Sequence, residues 1–179
     1  MQTKEAPSVR QRILDTAGRL FYQQGYPLTG INQLIAEAGV AKASLYQHFR
    51  TKDDVLLAYL QQVSQQWFEQ VEAAIVPGAT PKTQVLAVFD MLRDFLVAAD
   101  FRGCNFQNAL VQLAPEETTV RAFIQEHKNR MSRVFARLLG AGELAEEVNL
   151  LFEGALITSQ IQGSLAPVAT ARRMAERQL

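Results

Sequence analysis

Between Thr29 and Lys52 the chain reads TGINQLIAEAGVAKASLYQHFRTK, two short runs of helical apolar spacing hinged on a single glycine. Ile31, Leu34, Ile35 and Ala38 place apolar groups on one face of the first run, and Thr29 stands where a side-chain cap would start it. Gly39 falls where a helix C-terminus favours a left-handed residue. Val40 follows as an apolar plug between two helices that must cross steeply. The second run, Lys42 to Phe49, turns Leu45 and Phe49 inward and leaves Lys42, Ala43, Ser44, Tyr46, Gln47 and His48 outside. This is the pattern of a helix-turn-helix. Its outward side chains suit a DNA groove: lysine and serine reach phosphates or base edges, glutamine pairs with adenine, and tyrosine offers a hydroxyl on a flat apolar ring.

Charge agrees once the chain is divided. The whole is neutral, with 18 basic and 18 acidic residues. Residues 8–52, however, carry Arg10, Arg12, Arg19, Lys42, Arg50 and Lys52 against Asp15 and Glu37, a balance of +4 that leaves −4 for the remainder. Segregation of this sign is what phosphate binding requires, and the affinity should fall with added salt.

The run Gly39-Val40-Ala41-Lys42-Ala43-Ser44-Leu45-Tyr46-Gln47-His48-Phe49-Arg50-Thr51-Lys52-Asp53 resembles the signature of the tetracycline-repressor (TetR) family, Gly-Val-Ser-Lys-Gly-Thr-Leu-Tyr-x-x-Phe-x-Ser-Lys-Glu. Upstream, Arg12-Ile13-Leu14-Asp15-Thr16-Ala17, Leu20-Phe21 and Gly25-Tyr26 are similar to that family's first helix and its exit turn. Ala41 departs from the usual Ser or Thr, losing a helix cap worth about 0.5–2 kcal/mol, and Ala43 departs from a common Gly. The resemblance implies an all-α chain: an N-terminal three-helix DNA-binding domain with the helix-turn-helix, then a C-terminal helical bundle for ligand binding and dimerisation. It also places Lys42, Ala43, Ser44, Tyr46, Gln47 and His48 at the DNA, with Thr29 and Lys52 near phosphates. Thr51 and Asp54 resemble a capping box with Asp in place of Glu, so Lys52 falls in the first turn of the next helix, whose free amides also attract phosphate.

Periodicity and breakers predict helices throughout. Ser8 and Gln11 form a Ser-x-x-Gln capping box for a first helix that ends near Gly25 and buries Ile13, Leu14, Ala17, Leu20 and Phe21. Asp53 to Ile75 reads as a long connector. Further helices are expected over Lys82–Ala99, Cys104–Leu113, Glu116–Leu139, Glu143–Gly163 and Val168–Arg177, separated at Pro81, Gly103, Pro115, Gly140-Ala141-Gly142 and Pro167. The domains are expected at 1–52 and 53–179.

In the second domain, Trp67, Phe89, Phe106, Phe123, His127 and Met131 are candidates to line an apolar effector pocket, although most such aromatics are simply core. His127 shares its face with Val120, Phe123, Ile124, Met131, Val134 and Leu138, and serves either as a satisfied core histidine or as a ligand contact. Phe152, Ala155, Ser159 and Gly163 give a face on which another helix could approach closely. Dimer contact is the preferred use, with packing inside one chain as the alternative. Cys104, beside Arg102, is structural or an oxidant sensor, and as the single cysteine it forms no internal disulfide.

Neither histidine, His48 or His127, lies in a metal-ligand spacing, and the sequence holds no phosphate-binding Gly-x-x-x-x-Gly-Lys-Ser/Thr loop and no Gly-x-Ser-x-Gly elbow. No catalytic residue, metal or cofactor is therefore expected. No apolar signal or membrane span is recognised, so a cytoplasmic location without membrane partners is expected. The function expected is a homodimeric transcriptional regulator, a repressor released from palindromic double-stranded operator DNA by an unidentified small-molecule effector. The alternative is a helical small-molecule-binding or assembly protein that keeps the fold without specific DNA recognition.

Overall fold

Ser8 starts the first helix, Val9–Gln23 (α1), by accepting a hydrogen bond from the Gln11 amide at 3.2 Å. The reciprocal half of the expected capping box is not formed. The Gln11 side-chain amide donates instead to Asp15 at 2.7 Å and Gln62 at 3.3 Å. The computed structural model describes residues 6–179. Its elements after α1 are Ile31–Ala38 (α2), Lys42–His48 (α3), Lys52–Ala74 (α4), Pro81–Ala98 (α5), Asn105–Leu110 (α6), Thr118–Leu139 (α7), Glu143–Gln162 (α8) and Ala166–Gln178 (α9). Pro81 and Pro167, which the sequence marks as breaks, each stand in the first turn of a helix, where the missing N–H has no partner to lose. None of the described helices is long and apolar enough to cross a membrane.

The described residues form two compact units, one comprising the chain to Val63 together with Asn105–Phe123, the other Ser64–Cys104 with Ile124–Leu179. The division therefore falls within α4, not at residue 52, and the first unit takes in a distant segment. Local contacts explain this. α6 packs on α1, the Gln112 side-chain oxygen accepts from the Tyr26 backbone N–H at 2.8 Å, and the Tyr59 hydroxyl donates to Asn105 at 2.6 Å.

In the first unit, the predicted stripe of α1 meets Leu34 and Ala38 of α2, Leu45 of α3 and Phe49, with Val55, Leu56 and Leu60 of α4 also buried. Each large side chain removed from water in this way contributes roughly 1.5–3 kcal/mol. Gly18 permits a close approach, since a Cβ there would lie 2.7 Å from the Tyr59 ring.

In the second unit, Phe89 of α5, Phe135 of α7 and Phe152 of α8 form an aromatic centre with ring centroids 5.5–6.4 Å apart. α9 packs on α5 and α8 through Val168, Ala171 and Ala175. It is fastened to α5 by a two-pronged Arg172–Asp90 ion pair at 3.0 and 3.1 Å, and by Lys82 Nζ donating to the Glu176 carbonyl at 2.9 Å.

Candidate nucleic-acid interface

The turn between α2 and α3 is built as the residues require. Gly39 adopts φ 62°, ψ 39°, its N–H bonds to Ala36 O, and the Val40 N–H reaches back to Ile35 O, the two bonds of a Schellman ending. α3 then starts at Ala41, whose side chain provides no cap, as the departure from Ser or Thr implies. Leu45 is wholly buried and Phe49 is 5% exposed, so α3 is rotationally fixed by its inner face.

The outer face follows from that rotation. Lys42, Ala43, Tyr46, Gln47 and His48 are exposed, and Ser44 is half-buried beside them. Tyr46 is exposed although large and aromatic, at 42%. An apolar ring left in water on a short helix beside a lysine and a glutamine is suited to thymine methyls and sugar, with its hydroxyl free to reach phosphate. Arg10 and Arg50 add exposed positive charge in the same unit, the Arg10 guanidinium standing 5.5 Å from the Phe49 ring centre. Arg19 is engaged with Glu37 at 2.5 Å, and Arg19 with Gln33 holds the Glu37 carboxyl below its usual pKa range.

Two residues assigned to phosphates are placed differently. Thr29 is fully buried; its hydroxyl donates to Gly25 O at 2.8 Å and accepts from Gln24 Nε2 at 3.1 Å. It does not cap α2 either, because the residue in the cap position is Gly30. Thr29 thus locks the α1–α2 turn from inside. Lys52 directs its ammonium at the carbonyls of Tyr26 and Thr29, at 3.0 and 3.1 Å, and lies 4.1 Å from the Tyr26 ring centre. Desolvation lowers its pKa. The lysine is first a clamp between α4 and the α1–α2 turn, with at most one donor left for a phosphate.

The start of α4 forms the expected Asp-type capping box. The Asp54 N–H donates to Thr51 Oγ1 at 3.0 Å, and Asp54 Oδ2 accepts from the Thr51 and Arg50 amides, both at 3.0 Å. The carboxylate thus holds the two amides just before the helix, and of the first-turn amides the box takes the one of Asp54, through the Thr51 hydroxyl.

The pocket candidates do not gather in one unit. Phe106 and Phe123 belong to the first, and Trp67, Phe89, His127 and Met131 to the second. Phe89 and Met131 are core, while Trp67 meets Phe95 and Phe152 edge-on at 5.1 and 6.4 Å. His127 is buried, shares a 2.9 Å hydrogen bond with Ser64 and lies 5.2 Å from the Phe68 ring. Burial, reinforced by Lys128 and Arg130, lowers its pKa to about 3, so it is neutral in the folded protein. Cys104 is buried, and Lys128 beside it donates to Glu153 at 2.6 Å.

The proposed dimer face is corrected at three of its four positions. Phe152, Ala155 and Ser159 are at most 4% exposed within a single chain, facing its own core, and only Gly163, in the C-cap, is exposed. The sequence reading missed the opposite face. Leu150, Ile157 and Ile161 are 70%, 37% and 77% exposed on α8, with exposed Gly154 between them. Their spacing was legible, but α8 is apolar on two faces, and periodicity alone does not say which one is covered.

A three-helix head with a buried inner face and a polar, aromatic outer face on its last helix defines a helix-turn-helix DNA-binding protein. Residues 13–59 match the family model described as bacterial regulatory proteins, tetR family. A solved TetR-family transcriptional regulator of Streptomyces coelicolor is 30% identical, with a TM-score of 0.77 over 94% of this chain and 96% of that one. The HTH-type transcriptional regulator LmrA of Bacillus subtilis is 25% identical over 169 residues, 89% of this chain and 90% of LmrA. AcrR of Shigella flexneri is 27% identical over 164 residues, 84% of this chain and 76% of AcrR. The chain belongs to the TetR family, as a DNA-binding transcriptional regulator and not an enzyme.

Proposed function

We propose that this regulator is a homodimeric repressor that grips an inverted-repeat operator and releases it when a small-molecule effector binds the second unit. The observation that carries the DNA half is the two-faced α3, buried through Leu45 and exposed through Lys42, Tyr46 and Gln47. On this reading Gln47 and Tyr46 read base edges, Lys42 and Ser44 hold phosphate, and Arg10 and Arg50 add nonspecific attraction.

The uncovered stripe Leu150, Gly154, Ile157 and Ile161, with Met174 of α9 at 45% exposure, supports dimerisation. These positions recur every three to four residues along α8, and a Cβ at Gly154 would meet no atom within 4 Å, so a partner helix has room to come close. Two copies would present two α3 helices, which must lie about 34–36 Å apart, or a multiple, to enter successive major-groove faces.

Effector response is supported by the Trp67 indole N–H, which is buried without an acceptor in the protein. Such a group costs about 1–3 kcal/mol, and a ligand oxygen would relieve it. α4 has residues in both units, so a ligand that prefers another packing of the second unit would bias the helix bearing the Lys52 clamp. A tenfold weaker operator complex needs only about 1.4 kcal/mol of differential binding.

Selection of sites from random duplex DNA, with the mass of the complex measured on the winning sequence, tests this reading. An inverted repeat bound by an even number of chains is expected. Enrichment of a single unrepeated site by one chain would overturn the dimer, and no enrichment would favour a fold that no longer recognises DNA specifically.

A further inference from the structure

We infer that Asn105 and Gln112 are positioning residues for DNA recognition, fixing α6 as a splint behind the α1–α2 turn from which the helix-turn-helix takes its direction. Both lie in the first unit, though far along the chain from the helices they serve.

The tie at Gln112 is made to a main-chain donor. α1 ends where the Gln24 N–H returns to Leu20 O at 3.0 Å, and the chain then turns at Gly25 with φ 95°. The next N–H, that of Tyr26, is met by Gln112 Oε1 at 2.8 Å. Glycine serves twice here: it takes the left-handed conformation, and a Cβ in its place would lie 3.0 Å from the same Gln112 oxygen. The Tyr26 carbonyl receives Lys52 Nζ at 3.0 Å and the Thr29 N–H at 3.3 Å. Tyr26 thus joins the α6 segment, α4 and the entry to α2 through its own backbone.

The other end is tied at Asn105. Its Oδ1 accepts from the Tyr59 hydroxyl at 2.6 Å, and the Tyr59 ring is seated against α1, where Gly18 leaves room for it and Phe21 meets it edge-on at 6.2 Å. Between the two ties Phe106 and Ala109 are buried, with α6 packed on α1. Apolar burial is non-directional, whereas a hydrogen bond at each end fixes where along α1 the segment sits.

A recognition surface has to be held to within about 0.5 Å, so supporting contacts that touch no base still govern discrimination. The Schellman ending at Gly39 locks α2 to α3, and a shift at the α1–α2 turn is therefore carried to Tyr46 and Gln47.

The consequence for DNA rests on the operator-binding reading above. The test is titration of full-length variants with the selected duplex and with an unrelated one, read as the ratio of the two affinities, alongside hydrogen exchange at the Tyr26 amide. Gln112→Ala should lower the ratio about threefold to tenfold, the range of one hydrogen bond, and speed exchange at Tyr26. Gln112→Glu keeps an acceptor oxygen and should restore both, since its added charge weakens binding to the two duplexes alike. Asn105→Ala and Asn105→Asp should form a second such pair in the ratio, with Asp accepting from Tyr59 as Asn does. Gln112 is exposed, so thermal unfolding of its variants should stay near wild type. A ratio unchanged in either alanine variant, unchanged exchange at Tyr26 in Gln112→Ala, a loss not restored by Glu or Asp, or a loss that tracks the thermal midpoint would overturn the positioning role and leave the regulator reading in place. No preference of the wild type for any duplex would overturn both.

Discussion

Lys52 shows how one residue type admits two roles. The family resemblance puts it near phosphate, yet its ammonium holds the Tyr26 and Thr29 carbonyls. Lys52→Met should therefore lower stability by about 1–3 kcal/mol in urea unfolding, the scale for hydrogen bonds to a charged group. Unchanged stability with uniformly weakened DNA binding would return it to a phosphate role. His127 makes a second residue-scale prediction. Its pKa is lowered to about 3 when folded, against about 6.5 unfolded. The unfolded chain then binds the extra proton between those values, and stability falls as pH drops through that window by up to about 1.4 kcal/mol per unit. Wild type should lose more stability from pH 7 to pH 5 than His127→Gln, and equal losses would contradict the account. Neither environment was legible in sequence. The Lys52 clamp depends on where the α1–α2 turn falls, and the inward face of His127 fits a core group and a ligand contact equally well.

Elements were the most legible scale, for reasons visible in particular residues. Gly39 could end α2 and Val40 could plug the turn because a left-handed glycine and an apolar follower satisfy the last carbonyls in few other ways. The same logic misplaced Thr29, since a buried hydroxyl can serve a turn as well as a cap. α8 failed differently: its two faces, Phe152–Ala155–Ser159 and Leu150–Gly154–Ile157–Ile161, both recur every three to four residues, and only the packing of α5 and α9 decides that the first is inside. At the start of α3 the sequence and the structure agree that Ala41 offers no cap, with φ −70° and ψ 146° already suited to one. Ala41→Ser should thus raise stability by about 0.5–2 kcal/mol in thermal or urea unfolding. No gain would mean that α3 is ordered entirely by Leu45 and Phe49.

At the scale of the molecule, the return of residues 105–123 to the N-terminal unit was not legible, because the bonds from the Tyr26 amide to Gln112 and from Tyr59 to Asn105 join residues far apart in the chain. Dimerisation through the uncovered stripe predicts that Ile161→Glu, at a position 77% exposed in one chain, yields a folded monomer by sedimentation. A persistent dimer would place the interface elsewhere. The claim on which the rest depends is that the outer face of α3 reads base sequence. The most direct measurement is a titration, at two salt concentrations, of the selected duplex and its single-base variants with wild type and Gln47→Ala. The account predicts salt-dependent binding by both proteins with similar salt slopes, and a loss of about 1–3 kcal/mol of discrimination in Gln47→Ala at particular base pairs only. Full discrimination retained by Gln47→Ala, or a loss spread evenly over all duplexes, would contradict it.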